Sequence, residues 1–146
     1  MIHKKGNLLE ADEDIIGHGC NCMGSMGAGV AKQIKEVYPK AYEEYKKITP
    51  DKKLLGEMQI VHINEDRIVL NLFTQVFYGR KHKKFDYNNF HIIADKLSKL
   101  GFRLNKNIAL PRVGAGYAKG NWKKIERILK IHEDDVDNFE FVIYTL

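Results

Sequence analysis

The chain has 146 residues, 44% of them hydrophobic and 29% charged, the balance of one globular domain long enough to bury a core without disulfide staples. Its net charge of +5 suits an anionic ligand, whether phosphate, nucleotide or nucleic acid, and selects none of them. No apolar run reaches membrane-spanning length and the opening MIHKKGNLLEADED lacks the apolar core of a secretory signal, so a cytoplasmic protein with no membrane partner is expected.

In chain order, IIGHGC (15–20) reads as a short buried strand that runs into a glycine loop. From Val30 the apolar residues Val30, Ala31, Ile34, Val37, Tyr38, Ala41, Tyr42 and Tyr45 recur at helical spacing, and Pro39 divides that pattern into two helical pieces. EMQIVHI (57–63) alternates and RIVLNLF (67–73) is nearly continuous, with the polar turn NEDR between, so the pair reads as adjacent strands. A helix is expected over 87–100, with Phe90, Ile93, Ala94, Leu97 and Leu100 on one face. NIALPRV (107–113) is another buried strand, emptying into GAGYAKGNW, after which Asn121 caps a helix carrying Trp122, Ile125, Ile128 and Leu129. FEFVIYTL closes the chain as a last strand. Alternating strands and helices predict an α/β/α sandwich on a mixed, largely parallel sheet, with residues 1–146 as one domain.

Two of these strands end in glycine-rich loops leading into helices, Gly24–Gly29 and Gly114–Gly120. In open α/β sheets ligands bind beyond the carboxyl ends of strands. A loop of this kind turns backbone N–H groups and the positive end of a helix dipole toward an anion, so the pair suggests a diphosphate held between them.

The competing chemistries fit less well. His18, Cys20 and Cys22 are plausible metal ligands, but no second cysteine or histidine cluster completes a tetrahedral set, so no metal is expected. No arginine closes an anion loop shortly after either cysteine, so both thiols are read as reduced packing residues rather than nucleophiles. GHGCNC and GAGYAKG both depart from the dinucleotide-binding glycine pattern, which disfavours hydride transfer and a bound cofactor. RKHKK (80–84) carries no interleaved aromatics and reads as a solvated loop, so nucleic acid ranks below a small-molecule ligand as the expected partner.

KKGNLL (4–9), HGCNCMGSMGAGVA (18–31), YPKAYEEY (38–45), PRVGAGYAKGNW (111–122) and VIYTL (142–146), in this order and spacing, together resemble a macrodomain over nearly the whole chain. The resemblance is strongest to small stand-alone macrodomains that include ADP-ribose-1''-phosphate phosphatases and ADP-ribosyl-glutamate hydrolases. It implies a three-layer α/β/α fold that binds ADP-ribose. By position, Asn7 stands where many relatives place an adenine-binding aspartate, and Asn21 where an asparagine faces the distal ribose. Gly27, Ala28, Gly29 and Val30 fall on the first phosphate loop; Gly114, Ala115, Gly116 and Tyr117 fall on the second, and Tyr144 lies near the adenine.

The glutamate-hydrolase branch carries a lysine and an aspartate where this chain has Gln75 and Ala118, leaving Lys81, Lys83 or Lys84 as the remaining substitutes. The phosphatase branch carries a histidine at the position of His18, which implies a catalytic imidazole titrating near neutrality. A structural histidine at the strand–loop junction is the competing role. Asp12, Asp14 and Asp86 are the acids considered. The expectation is hydrolysis of ADP-ribose-1''-phosphate to ADP-ribose and phosphate, without metal. The alternatives are a non-catalytic ADP-ribose reader, or a hydrolase that removes ADP-ribose from proteins or nucleic acid.

Overall fold

The segment IIGHGCN supplies the strand around which the other elements are arranged. The computed structural model, which describes residues 1–78, 85–116 and 118–146, places it as β2 (Ile15–Asn21) inside a six-stranded sheet. The remaining strands are β1 (Ile2–Lys5), β3 (Met58–Asn64), β4 (Arg67–Gln75), β5 (Ile108–Leu110) and β6 (Phe141–Thr145), in the order β1-β6-β5-β2-β4-β3. Every neighbouring pair is parallel except β3–β4, the hairpin around the NEDR turn. The helices are α1 (Gly29–Val37), α2 (Pro39–Ile48), α3 (Tyr87–Leu104) and α4 (Trp122–Asp134). The expected α/β/α sandwich is the observed one.

The period-two alternation of the buried strands builds the two cores. Ile15 of β2 joins Leu72, Ile108, Leu110 and Phe141 beneath Ile93, Leu97, Ile125 and Leu129 of α3 and α4. Its neighbour Ile16 points the other way and joins Val69, Ala109 and Val142 against Ile34 and Ala41 of α1 and α2. Pro39 opens α2, where the lack of an N–H costs nothing, while the Tyr38 N–H closes α1 on the Ile34 carbonyl at 2.7 Å. Consequently β2 feeds a helix on one face of the sheet, and its neighbour β5 feeds a helix on the other. A crevice opens at that switch point, beyond the strand ends.

The main departures from the sequence reading are one strand and two element ends. β1 was not foreseen: IHKK is a short, largely exposed edge strand that pairs with β6, at the far end of the sequence. β5 stops at Leu110, because Pro111 has no N–H to continue the ladder. α3 runs past Leu100 to Leu104 and ends on Asn105 in the left-handed conformation, φ 54°. The helix passes through Gly101 because a side chain there would overlap the Phe139 ring and lie 2.9 Å from the Lys106 carbonyl. Gly101→Ala is therefore expected to destabilise the protein by about 2 kcal/mol, the cost of overpacking, measured as a lowered midpoint of thermal or urea unfolding.

Candidate functional site

The carboxyl ends of all five parallel strands open into one cleft of about 880 Å³. Its rim is formed by Gly6–Leu9 after β1, Asn21, Ser25 and Gly27–Ala31 at and after β2, and Thr74, Gln75 and Tyr78 at and after the end of β4. Pro111–Gly114 after β5 and Tyr144–Leu146 at the end of β6 complete it. The volume suits a ligand of nucleotide-sugar size.

One wall is the start of α1. Ala28 at the N-cap supplies no side-chain hydrogen bond, and the next residues provide first-turn N–H groups that have no partner inside a helix. Gly27, Ala28, Gly29 and Val30 all line the cleft, so these donors and the positive end of the helix face it, a ready anion site. The approach to this wall is shaped by Asn21. Its Oδ1 accepts from the N–H groups of Met23 (3.0 Å) and Ser25 (3.3 Å), and its Nδ2 donates to the Ser25 carbonyl at 2.8 Å. The buried Tyr45 hydroxyl lies 2.8 Å from the Asn21 carbonyl and accepts from the Gly24 N–H at 3.2 Å. Asn21 borders the cleft as expected, but its amide is committed to building the loop.

The opposite wall is the loop after β5. Gly114 has φ 79° and its carbonyl accepts from the Gly120 N–H at 2.6 Å, which folds the loop back on itself ahead of α4. Asn121 then caps α4, accepting from the Lys124 N–H at 3.3 Å. Gly114 and Gly116 line the cleft, whereas Ala115 does not, and Tyr117 lies outside the described residues. Arg112, on the same loop, brings a permanent charge to the cleft, with its guanidinium carbon 5.9 Å from the centre of the Trp122 ring.

A third wall follows β1. Asn7 caps a short helical turn, its Oδ1 accepting from the Leu9 N–H at 3.0 Å, and it lines the cleft. Tyr144 lies beneath, its hydroxyl donating to Glu13 Oε1 at 2.6 Å and accepting from the Asp12 N–H at 3.3 Å. Burial alone would raise the Glu13 carboxyl; the hydrogen bonds from Tyr144 and Lys4 outweigh it and hold that carboxyl below its usual value. Behind this wall, Arg67 donates to the carbonyls of Ala11 (2.9 Å) and Glu13 and to the Tyr38 hydroxyl (3.1 Å), which itself donates to the Leu9 carbonyl at 2.8 Å. Arg67 and Tyr38 thus brace the segment that presents Leu8 and Leu9 to the cleft.

His18 is elsewhere. It is fully buried, shares a strand face with Ile16 and Cys20, and is absent from the cleft lining. Its Nε2 is 2.6 Å from Asn71 Oδ1. Asn71 Nδ2 is spent on the Ala41 carbonyl (3.1 Å) and Gln59 Oε1 (2.9 Å), so Oδ1 accepts and the imidazole donates through Nε2. Burial drives its pKa down to about 4, with the Asn71 hydrogen bond opposing. The imidazole is therefore neutral at physiological pH and out of reach of a ligand. The structure thus places His18 outside the cleft lining, on the β2 face that α2 covers, although its strand neighbours Gly19 and Cys20 reach the lining.

Cys20, which does border the cleft, has its thiol pushed far up by burial and is no nucleophile at neutral pH. The acids considered also stand elsewhere. Asp12 is exposed, Asp14 pairs with Lys106, and Asp86 caps α3 through the Asn89 N–H at 2.9 Å. Among the described residues, then, the cleft lining holds no carboxylate side chain and no imidazole. Lys81, Lys83 and Lys84 lie outside those residues. The sequence reading missed Ser25, Gln33, Thr74 and Arg112 in the lining. Arg112 alone left a signal, as a cation between the buried strand and its glycine loop.

Comparison with known proteins agrees with this architecture. The Macro domain family profile matches residues 18–129. The ADP-ribose 1''-phosphate phosphatase of Saccharomyces cerevisiae is 30% identical over an alignment spanning 100% of this chain and 98% of that protein. The DNA ADP-ribosyl glycohydrolase of Mycobacterium tuberculosis is 28% identical over 99% of this chain, which covers 42% of that longer protein. The solved macrodomain of Mycobacterium tuberculosis DarG aligns with a TM-score of 0.84 over 99% of this chain and 97% of its own, at 24% identity.

Proposed function

The chain belongs to the macrodomain family, and from that premise we propose that its cleft binds ADP-ribose and hydrolyses ADP-ribose-1''-phosphate to ADP-ribose and phosphate. The observation that carries this is the cleft itself: the first turn of α1, with its open N–H groups, and the Gly114 loop border one space of nucleotide-sugar size, with Arg112 in its lining. The diphosphate fits between the start of α1 and the Gly114 loop. The end-to-end likeness to the yeast phosphatase supports the choice of reaction.

Water attacks phosphorus, the bond from phosphorus to the 1'' oxygen breaks, and that oxygen takes up a proton. Backbone donors and Arg112 stabilise the phosphoryl oxygens as charge shifts among them. The proton has a source in the substrate, since a phosphate monoester holds one with a pKa of about 6. No side-chain acid is then required, and turnover is expected to decline as pH rises above about 6. Release of phosphate from ADP-ribose-1''-phosphate, followed from pH 5 to 8, checks this; a rate that climbs through neutrality overturns the proton assignment.

A non-catalytic ADP-ribose reader is the second reading, favoured by the lack of carboxylate and imidazole side chains in the described lining. Calorimetric binding of ADP-ribose with no phosphate released from the 1''-phosphate selects it. Removal of ADP-ribose from a macromolecule has less support, because Gln75 and Ala118 both line the cleft with side chains that supply neither a nucleophile nor an acid.

The brace behind the β1 wall provides a further check. Arg67→Lys keeps the charge and loses the fork, so ADP-ribose is expected to bind about tenfold more weakly, equivalent to one lost charge-assisted hydrogen bond. Inorganic phosphate, held at the loops, should bind as before. Equal weakening of both ligands would place the defect in the overall fold.

A further inference from the structure

Helices α3 and α4 bring two imidazoles together, neither of which lines the cleft. His91 Nδ1 and His132 Nε2 stand 3.1 Å apart, with the ring centres 5.4 Å from each other and the planes at 66°. Both residues are half-buried rather than sealed in the core. Asp95 follows His91 by one turn of α3. Its Oδ2 accepts from Lys99 at 2.8 Å, and its Oδ1 lies 3.9 Å from His132 Nδ1.

That nitrogen of His132 is the anomaly. Among the described residues, Nδ1 is the one buried side-chain nitrogen or oxygen atom with no hydrogen-bond partner. Buried polar atoms are paired as a rule, and an exception calls for an explanation. Burial, with smaller contributions from His91 and Lys99, lowers the pKa of His132 against the pull of Asp95 and Asp135, so the ring is neutral at pH 7. A neutral imidazole donates through one nitrogen and accepts through the other. The facing carboxylate favours the proton on Nδ1, which leaves a lone pair on Nε2 toward His91. Metal-binding histidines have this arrangement, with the nitrogen away from the metal turned to a carboxylate.

Distance points the same way. Imidazole nitrogens bind zinc at about 2.0–2.1 Å, so two of them set about 90–110° apart around one ion stand about 2.9–3.4 Å from each other. The observed 3.1 Å falls inside that range.

We propose that His91 Nδ1 and His132 Nε2 jointly bind a zinc ion that ties α3 to α4, with Asp95 orienting His132. Imidazole donors suit zinc, whereas magnesium and calcium take oxygen ligands. In the bound form His91 carries its proton on Nε2, so both rings stay neutral and no net proton is released. Among the described residues no group of three histidine, cysteine or carboxylate side chains converges on a metal position, so water completes the coordination. The negative charge of Asp95 and Asp135 near His132 offsets part of the ion's charge.

The test is equilibrium dialysis of the untagged protein against zinc chloride at pH 7.5, with thermal unfolding alongside. The parent should hold one zinc ion per chain, and zinc at about 100 times its Kd should raise the unfolding midpoint by about 5–10 °C. His91→Gln and His132→Gln, their folds checked by circular dichroism, should each lose both the ion and the shift. Asp95→Asn should keep the stoichiometry and bind zinc about 10- to 100-fold more weakly, as expected of a group that acts through a ligand. Zinc retained by either folded histidine variant overturns the proposal. So does a parent that takes up no zinc at millimolar concentration and keeps its midpoint, in which case the pair is an interhelical hydrogen bond only.

Discussion

Gly114→Ala is expected to weaken ADP-ribose binding by at least about tenfold and to lower stability by roughly 2–3 kcal/mol, because two costs add at one position. The backbone there has φ 79°, a conformation that a side chain strains. The added Cβ would overlap the buried Phe85 ring and come within 3.0 Å of Ile125 Cδ1. Relief requires the loop to move, and the bond from the Gly120 N–H to the Gly114 carbonyl, which shapes the phosphate wall, goes with it. Phe85→Ala separates the two costs. In that background the ring overlap is gone and only the backbone strain remains, so the Gly114→Ala step should cost less, a coupling that a double-mutant cycle reads directly. Wild-type affinity in Gly114→Ala, measured by calorimetry, would show that this loop does not shape the site.

The loop was legible in the sequence because its constraints are local. GAGYAKG follows a buried strand and precedes a capped helix, and nothing distant is needed to see that backbone N–H groups gather there. The same holds for the helical spacing from Val30 and for its division at Pro39. What escaped depends on contacts across the sequence. Arg67 and Tyr38 brace the β1 wall across separations of 29 to 56 residues, and nothing near either residue announces a partner. Ala115 sits inside the motif but turns away from the cleft, which the glycine spacing alone does not reveal.

His18 is the instructive case. Alternation along β2 groups it with Ile16 and Cys20, and only the packing of α2 decides that this face is closed at residue 18. The chemistry of an imidazole beside a ligand loop was sound; its direction was not encoded locally.

That burial makes His18 a source of pH-dependent stability. Its folded pKa of about 4 lies below the ordinary 6.5, so between those values the unfolded chain binds a proton that the native state excludes. The contribution is complete above pH 6.5 and is lost as pH falls toward 4, at up to about 1.4 kcal/mol per pH unit and roughly 3 kcal/mol in all. His18→Gln removes the titrating group and keeps a donor for Asn71 Oδ1. It is expected to be less stable than the parent at pH 7.5, with the gap shrinking as pH drops through 6 and 5. Urea unfolding of both proteins across that range measures the convergence, and parallel stability curves would mean that His18 takes up its proton as readily in the fold as in the unfolded chain. Activity supplies an independent discriminator. An imidazole that only bonds Asn71 leaves kcat within about threefold once the variant is folded, since the group touches no reacting atom. A folded His18→Gln protein that had lost 100-fold or more in kcat, at unchanged KM, would return the histidine to the chemistry and require the sheet to open at β2 during turnover.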